Sequence, residues 1–312
     1  MSNTRVIVFG YGELGAASIE ALIAVGAQVV GAVVPSNRTG PDVDIVRFLA
    51  AHKSIPLLEQ PPRKRIEPFV EELRGLNPEV MLVWSYSMIL PPPVLVVPRL
   101  GCVNLHGGLL PEYRGGHVMQ WAIINGEKET GMTLHYIDAG VDTGPVIAEE
   151  RFAIEWEDDA ASVRRKLKDV GMRLIARWWP AIAAGTAPRI PQDEARARYY
   201  PLRTAEDGLV HWSNANTSIY NLVRALARPW PGAFTFSRGR KVVLRRVVPV
   251  EASTAEHERA PGLVCRVEAG GRLRVATGDG DLLVCEAEID GRVALAAGRD
   301  ETGISAGDIL GA

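Results

Sequence analysis

Short apolar runs alternate with amphipathic segments through the first 190 residues. The apolar runs predict buried strands at Arg5–Gly10, Ala27–Val34, Val80–Trp84, Gly101–His106 and Gly131–Ile137. Apolar residues spaced three and four apart predict helices at Ser18–Val25, Asp44–His52, Ile66–Leu76, Val118–Asn125 and Ala161–Ala184. Strands that alternate with helices are typical of a parallel, doubly wound, Rossmann-like sheet. We therefore expect an α/β domain over residues 1–190.

The pattern changes after residue 190. The stretch from 185 to 197 is rich in proline, glycine and alanine, so we place a linker at 191–204. A helix predicted at Ser218–Ala227 follows, and then six short alternating strands between residues 234 and 296. Turn signals such as Gly278-Asp279-Gly280 separate these strands. Short strands with such turns predict a smaller, OB-like β-barrel over residues 205–312.

The composition indicates a soluble globular protein with ordinary charge. Hydrophobic residues make up 47% of the 312 residues and charged residues 23%, and the formal net charge is -2. No overall field would recruit nucleic acid, and no apolar run reaches the roughly 18 residues that span a membrane. Three cysteines and an N-terminus without the pattern of a signal peptide favour the cytoplasm. No set of three or four spaced ligands indicates zinc, so we expect no metal.

A glycine motif near the N-terminus gives one hypothesis about function. Gly10-Tyr11-Gly12-Glu13-Leu14-Gly15 fits G-x-G-x-x-G between a predicted strand and a helix, as in dinucleotide-binding proteins. The second strand should then end in an acidic residue that binds the ribose, but it ends Val33-Val34-Pro35-Ser36. Arg38 would be available for a 2′-phosphate, so an NADP-dependent oxidoreductase remains an alternative. If the motif binds no dinucleotide, its glycines serve to allow a tight turn and close packing of the helix on the strand.

Three polar residues give a second hypothesis. Asn104 and His106 lie two apart at the end of a predicted strand, so they face the same side, and Asp142 lies in Val141-Asp142-Thr143-Gly144. Taken one at a time, Asn104 is typical of a turn cap, His106 of a structural histidine and Asp142 of a turn former. Together, this polar trio supplies an amide, an imidazole and a carboxylate, which stabilise an oxyanion and move a proton. The trio suits direct transfer of an acyl group from a carrier to an amine.

The motifs around the polar trio resemble a known family, the N10-formyltetrahydrofolate-dependent formyltransferases. The matching motifs in the first domain are Asn104-x-His106, Leu109-Leu110-Pro111-x-Tyr113-Arg114-Gly115, Trp121-Ala122-Ile123, Gly126-Glu127-x-x-Thr130-Gly131 and Asp142-Thr143-Gly144. The resemblance continues in Arg224-Ala225-x-x-Arg228-Pro229-Trp230-Pro231-Gly232-Ala233. It therefore covers nearly the whole chain and implies that residues 1–190 form the catalytic domain.

The resemblance assigns roles to the trio and to the folate site. It implies that His106 is the catalytic histidine, that Asn104 stabilises charge on the formyl oxygen, and that Asp142 favours the charged form of His106. The cosubstrate would be N10-formyltetrahydrofolate, bound along Met88, Ile89 and Leu90 and along Asp138, Ala139, Gly140 and Val141. Several relatives that act on sugars have an arginine where Gly116 stands, so that folate contact is missing here.

The acceptor amine divides this family. Arg228-Pro229-Trp230-Pro231-Gly232 and its surroundings look most like the members that formylate UDP-4-amino-4-deoxy-L-arabinose. The loop at 35–44 has one arginine, and the region from 205 onward holds 13 basic and 14 acidic residues. This charge balance does not favour binding to the phosphates of a tRNA. We therefore expect a small amine, most simply a nucleotide-linked amino sugar, with methionyl-tRNA as the alternative. Contacts to the substrate are expected from Tyr113, Arg114 and Arg203. Hydrolysis of the formyl-folate and homo-oligomer formation stay open.

The second predicted strand lacks the acidic residue of a dinucleotide site, and the polar trio suits acyl transfer. Together these features predict a folate ligand and no dinucleotide. In calorimetric titrations we expect the protein to bind a reduced folate and to show no useful affinity for NAD or NADP. Micromolar binding of NADP without binding of folate would overturn this interpretation.

Overall fold

The structure, a computed structural model, describes residues 3–251, 259–268, 270–296 and 298–311. It consists of two compact units that take alternating segments of the chain. The first unit comprises Met1–Val118, Thr130–Phe152 and Arg165–Tyr200, and the second comprises Met119–Glu129, Ala153–Arg164 and Pro201–Ala312. Residues 191–200, which the sequence analysis places in a linker, thus belong to the first unit.

Strands and helices alternate up to residue 183, and strands dominate from residue 233 onward. The helices in the described residues are α1 (Gly12–Ala24), α2 (Pro41–His52), α3 (Ile66–Gly75), α4 (Pro92–Leu95), α5 (Val118–Ile124), α6 (Ala160–Ala183) and α7 (Asn216–Ala225). The strands are β1 (Arg5–Gly10), β2 (Gln28–Pro35), β3 (Leu57–Gln60), β4 (Val80–Trp84), β5 (Cys102–His106), β6 (Arg114–Gly115), β7 (Glu129–Tyr136), β8 (Val146–Ala153), β9 (Tyr199–Tyr200), β10 (Ala233–Ser237), β11 (Arg240–Val250), β12 (Val264–Val267), β13 (Leu273–Ala276), β14 (Asp281–Ile289), β15 (Arg292–Ala296) and β16 (Arg299–Asp300).

A central sheet in the order β3-β2-β1-β4-β5-β7-β8 carries the first unit. β1 to β5 pair in parallel, and this doubly wound arrangement confirms the predicted α/β class. Residues of β1 and β4 such as Ile7, Phe9 and Met81 are fully buried because both faces of the sheet are covered. The strand order reverses direction between β1 and β4, and the loops that leave such strands line a crevice where ligands bind.

One side of the sheet departs from the purely parallel prediction. β7 pairs with β5 in the antiparallel direction, with Asn104 opposite His135 and His106 opposite Thr133. The chain enters β7 next to the carboxyl end of β5, so β7 runs in the direction opposite to β5. The sequence analysis predicts neither β3 nor β8, which form the two outer edges. β8 alternates between half-buried and exposed positions, so it lacks the continuous apolar run of a central strand.

Gly10 and Gly15 bring α1 into backbone contact with β1 and β4. A Cβ on Gly10 would lie 2.7 Å from both the Gly15 Cα and the Trp84 carbonyl oxygen, and a Cβ on Gly15 would lie 2.7 Å from the Gly10 carbonyl carbon. The Tyr11 amide also donates to the Ser85 carbonyl, which ties the first turn to the end of β4. The glycine motif therefore has a packing task that requires no dinucleotide.

An antiparallel sheet forms most of the second unit. Its path is β10-β11-β14-β13-β12, with β15 paired to β14 and β16 paired to β15. The apolar face of α7, with Ile219 and Val223, packs in one core with Trp212, Leu244 and Val284. The strands lie within a few residues of those predicted from the alternating pattern, which confirms a smaller, antiparallel C-terminal part. Among the described helices, none combines the length and apolarity needed to cross a membrane.

The packing task of the glycine motif is testable by substitution. Gly15→Ala places a methyl group against backbone atoms, and we expect it to lower the free energy of unfolding by about 1–3 kcal/mol or more. Gly75→Ala is the matched control, since its Cβ would meet nothing within 4 Å at the end of α3. That change should be neutral or stabilising by up to about 1 kcal/mol. Equal urea midpoints for the two variants would contradict this assignment.

Candidate active site

His106 ends β5 at the carboxyl edge of the sheet and is buried, with 7% of its side chain exposed. Its Nε2 lies 2.6 Å from the Tyr113 carbonyl oxygen and donates to it. Its Nδ1 faces the Asp142 carboxylate, 3.6 Å from Oδ2. Both ring nitrogens thus point at acceptors, an arrangement that suits a protonated imidazole. The predicted meeting of His106 with Asp142 therefore occurs in the structure.

Asp142 is held by the backbone on the opposite side of the site. Its Oδ2 accepts a hydrogen bond of 2.9 Å from the Gly115 amide, and its Oδ1 lies 3.8 Å from His135 Nε2. Its φ of 55° is in the left-handed region, which residues other than glycine adopt seldom and mostly in constrained sites. The carboxylate therefore stands between two imidazoles and an amide.

Asn104 is oriented by a histidine from the neighbouring strand. His135 Nδ1 donates to the Tyr136 carbonyl at 2.8 Å, so in the neutral ring Nε2 carries the lone pair. The Asn104 Nδ2 group lies 3.1 Å from that Nε2 and donates to it. The pair fixes which way the amide points and leaves its second N–H for another acceptor.

His135 is held in the neutral form. Burial and the neighbouring charge on His106 together lower its pKa to about 4, although Asp142 acts in the opposite direction. From the sequence, His135 is a weaker candidate for substrate contact, and its role beside Asn104 is not predicted. The available signal was its position as a polar residue in an otherwise buried strand, but only the β5–β7 register shows that it faces Asn104.

The segments predicted to bind folate follow β4 and β7. The Ser87 carbonyl accepts from Asn37 Nδ2 and the Ile89 carbonyl from Gln60 Nε2, so the loop after β4 is fixed by hydrogen bonds to its neighbours. Ile89 is 79% exposed and Leu90 is buried. Residues 138–141 are exposed, and the Asp138 carboxylate accepts from the Gly140 amide and the Thr143 hydroxyl. Residues 138–141 are therefore accessible to solvent, whereas the segment after β4 exposes mainly Ile89.

The three residues predicted to touch substrate have other contacts. Tyr113 is buried and its ring stacks on Tyr200, with centroids 4.8 Å apart. Arg203 is half-buried and lies over the Trp121 ring at 6.0 Å, within the second unit. These two assignments stay predictions.

Arg114, the third residue predicted to contact the substrate, has its partners within the protein, and its assignment also stays a prediction. Its side chain is fully buried, and Glu194, Gln192 and Tyr199 take up its five N–H donors. The hydrogen bonds of Glu194 raise the pKa of Arg114 and lower the pKa of Glu194 itself. These partners lie about 80 residues away along the chain, so the spacing within the motif gives no information about them.

The arrangement is suited to stabilising negative charge that develops on an oxygen. An oriented amide donor and a buried imidazole paired with a carboxylate perform this task in acyl transfer. Within the residues that the structure describes, no three His, Cys, Asp or Glu side chains are grouped so as to hold a metal ion.

Comparison with protein families gives a direct match. The family model described as "Formyl transferase" matches residues 3–178, and "Formyl transferase, C-terminal domain" matches residues 203–299. The chain belongs to the formyl transferase family. It is therefore a one-carbon group transferase, and the oxidoreductase alternative is dropped.

The curated formyl transferases similar to this chain include two named methionyl-tRNA formyltransferase. That of Pelotomaculum thermopropionicum is 37% identical over 285 residues, which cover 88% of this chain and 87% of the relative. That of Citrifermentans bemidjiense is 35% identical over 290 residues, which cover 91% and 88%.

Solved structures in the formyl transferase family share the fold. The N-formyltransferase of Helicobacter canadensis, in complex with folinic acid and dTDP-3-aminofucose, aligns with a TM-score of 0.66. The alignment covers 90% of this chain and 98% of that protein at 17% identity. At this identity the likeness concerns the fold alone.

The neutral state of His135 predicts a dependence of stability on pH. Between about pH 6.5 and pH 4 the unfolded chain binds a proton at this histidine that the folded protein rejects. Stability should therefore fall as the pH falls through this window, by up to about 1.4 kcal/mol per pH unit. In urea titrations, His135→Gln should flatten this slope.

The control for this measurement is His52→Gln, because His52 is exposed at the end of α2. Its slope should match that of the unaltered protein. Identical slopes for His135→Gln and the unaltered protein would show that His135 titrates as in the unfolded chain.

Proposed function

We propose that the chain transfers the formyl group of N10-formyltetrahydrofolate to the amine of methionyl-tRNA. The observation that carries the chemistry is the geometry of the polar trio, with an oriented Asn104 amide beside a buried His106 paired to Asp142. The choice of acceptor rests on the relatives, which are 35–37% identical along most of both chains. The relatives thus favour the alternative over the amino sugar that the sequence motifs suggest.

The residues at the carboxyl edge fit a folate. The exposed side chains of Ile89 and Val141 offer apolar surface, and the exposed backbone from Asp138 to Val141 offers donors and acceptors for the edge of a pterin. Met88, Ile89 and Leu90 are proposed to flank the ring system, as the family resemblance implies. The related N-formyltransferase of Helicobacter canadensis is a complex with folinic acid, which is itself a reduced, formylated folate.

In the proposed reaction the acceptor amine attacks the formyl carbon, and the bond from that carbon to N10 of the folate breaks. The free N–H of Asn104 and the charged ring of His106 stabilise the negative charge on the formyl oxygen. A proton passes from the amine to N10, which leaves tetrahydrofolate and the N-formyl product. For His106 to carry this proton, one of its ring nitrogens must leave its present acceptor, the Tyr113 carbonyl or Asp142, and bind the amine or N10 instead.

A nucleotide-linked amino sugar is the second candidate, because several basic residues that could contact the phosphates of a tRNA already have partners in the protein. β2 and α2 are joined by residues 36–40 only, and there Arg38 lies over the Tyr11 ring at 5.1 Å. Basic residues cluster along β11 and the turn before it, and four of these arginines form ion pairs: Arg238 with Asp308, Arg240 with Asp290, Arg245 with Glu288, and Arg246 with Glu286. Phosphate contacts by these side chains would have to replace pairs that already exist.

The acceptor is tested by competition between amines. The protein is incubated with N10-formyltetrahydrofolate and either methionyl-tRNA, UDP-4-amino-4-deoxy-L-arabinose or no acceptor, at about 0.15 M ionic strength. We expect rapid release of tetrahydrofolate and mass-spectrometric detection of formyl-methionine only with the tRNA. His106→Ala serves as the control for background transfer.

Other outcomes separate the alternatives. Formylation of the sugar without the tRNA would replace the proposed acceptor by the second candidate. Release of tetrahydrofolate at the same rate without any amine would indicate a hydrolase and refute both.

A further inference from the structure

Gln192 joins the loop that carries Asp142 to the buried Arg114. Its side-chain Nε2 donates to the Asp142 carbonyl at 2.8 Å and to the Gly144 carbonyl at 2.7 Å. Its Oε1 accepts from Arg114 Nε at 3.1 Å and from Nη2 at 2.8 Å. Both N–H groups of the side-chain amide therefore donate to the loop, and its oxygen accepts from the guanidinium.

The orientation of this amide has no alternative. A flipped amide would place an NH₂ group against a guanidinium, which has donors only, and an oxygen against two carbonyls. The Arg114 guanidinium is itself fixed in place. Glu194 binds it with two hydrogen bonds of 2.6 and 2.8 Å, and the Tyr199 hydroxyl accepts a hydrogen bond from its remaining N–H. A bidentate pair of this kind fixes position as well as charge.

A second connection runs through the backbone beside Arg114. The Gly115 amide donates to Asp142 Oδ2, and β6 pairs with β9, where Arg114 stands opposite Tyr199. A Cβ on Gly115 would lie 2.2 Å from the Tyr200 carbonyl oxygen, so the two strands pack without room for a side chain. Arg114 thus fixes the Asp142 loop through Gln192 and the Asp142 carboxylate through Gly115.

We propose that Gln192 is a positioning residue for Asp142, with Arg114 and Glu194 as its anchor, and that it does not touch substrate. Its two hydrogen bonds hold the backbone at 142 in the left-handed conformation, which keeps the carboxylate beside His106. The effect on catalysis rests on the proposed formyl transfer, whereas the effect on Asp142 does not.

Loss of these bonds has a defined chemical consequence. A carboxylate that moves away from His106 stabilises the charged imidazole less. The ring then stabilises the developing charge on the formyl oxygen less, so kcat should fall. Folate binding, which is assigned to other backbone segments, should change little.

The test uses Gln192→Glu, which keeps the length and the contact with Arg114 but removes both donors to the loop. We expect kcat with the acceptor that the unaltered protein uses to fall about 10- to 100-fold, as for a displaced catalytic group, with little change in KM for the folate. In the Asp142→Asn background the same substitution should cost much less, because its target is already lost. Full kcat, or an equal loss in both backgrounds, would overturn the proposal.

Hydrogen exchange at the Gly115 amide gives a readout that does not depend on activity. This amide donates to Asp142 Oδ2, so it should exchange faster in the Gln192→Glu variant. An unchanged rate would refute the positioning role even if formyl transfer is confirmed. If no acceptor yields tetrahydrofolate, the proposed function fails while this measurement still decides the role of Gln192.

Two further variants complete the experiment. Arg196→Ala is the matched control from the same segment, since Arg196 pairs with Glu112 on the surface and should leave kcat and the Gly115 exchange rate unchanged. Gln192→Met replaces the glutamate variant if that one does not fold, with the same expected and contradicting results.

Discussion

The carboxylate of Asp142 is the interaction on which the geometry of the site depends. It accepts the Gly115 amide and faces His106 and His135 at 3.6 and 3.8 Å. One imidazole is arranged to carry a proton, whereas burial keeps the other neutral. Two similar rings on adjacent strands therefore have different roles: in the proposed reaction one stabilises charge, and the other orients the Asn104 amide. This division requires the single carboxylate to stay in place.

Much of this arrangement follows from the sequence, and the remainder depends on pairing between distant segments. The strands and helices of both parts are predicted because apolar periodicity is a local property, and Asn104 and His106 share a face because strands repeat every two residues. The sequence indicates His135 only as a weaker candidate for substrate contact, because its pairing with Asn104 depends on the β5–β7 register. Gln192 is not predicted because it lies in a segment with the composition of a linker. Edge strand β8 is missing from the prediction because half of it faces solvent.

The acceptor is a separate question from the reaction. The polar trio lies in the first unit and has no group that distinguishes one amine from another. The arginines of the C-terminal sheet form ion pairs with nearby acids, and exposed pairs of this kind contribute little to stability. Such pairs can be exchanged for phosphates at small cost. These ion pairs therefore favour the small acceptor only weakly, and the proposed choice of tRNA rests on the relatives.

The pairing of β6 with β9 has a practical consequence for work with fragments. The N-terminal family match ends at residue 178, and a catalytic fragment cut there would lack Gln192, Glu194 and the strand at Tyr199–Tyr200. Arg114 would remain as a buried cation without any of its acceptors, which is among the more damaging changes a protein core can suffer. The smallest independently expressed catalytic part should therefore extend to Tyr200, well beyond the end of its last long helix at Ala183.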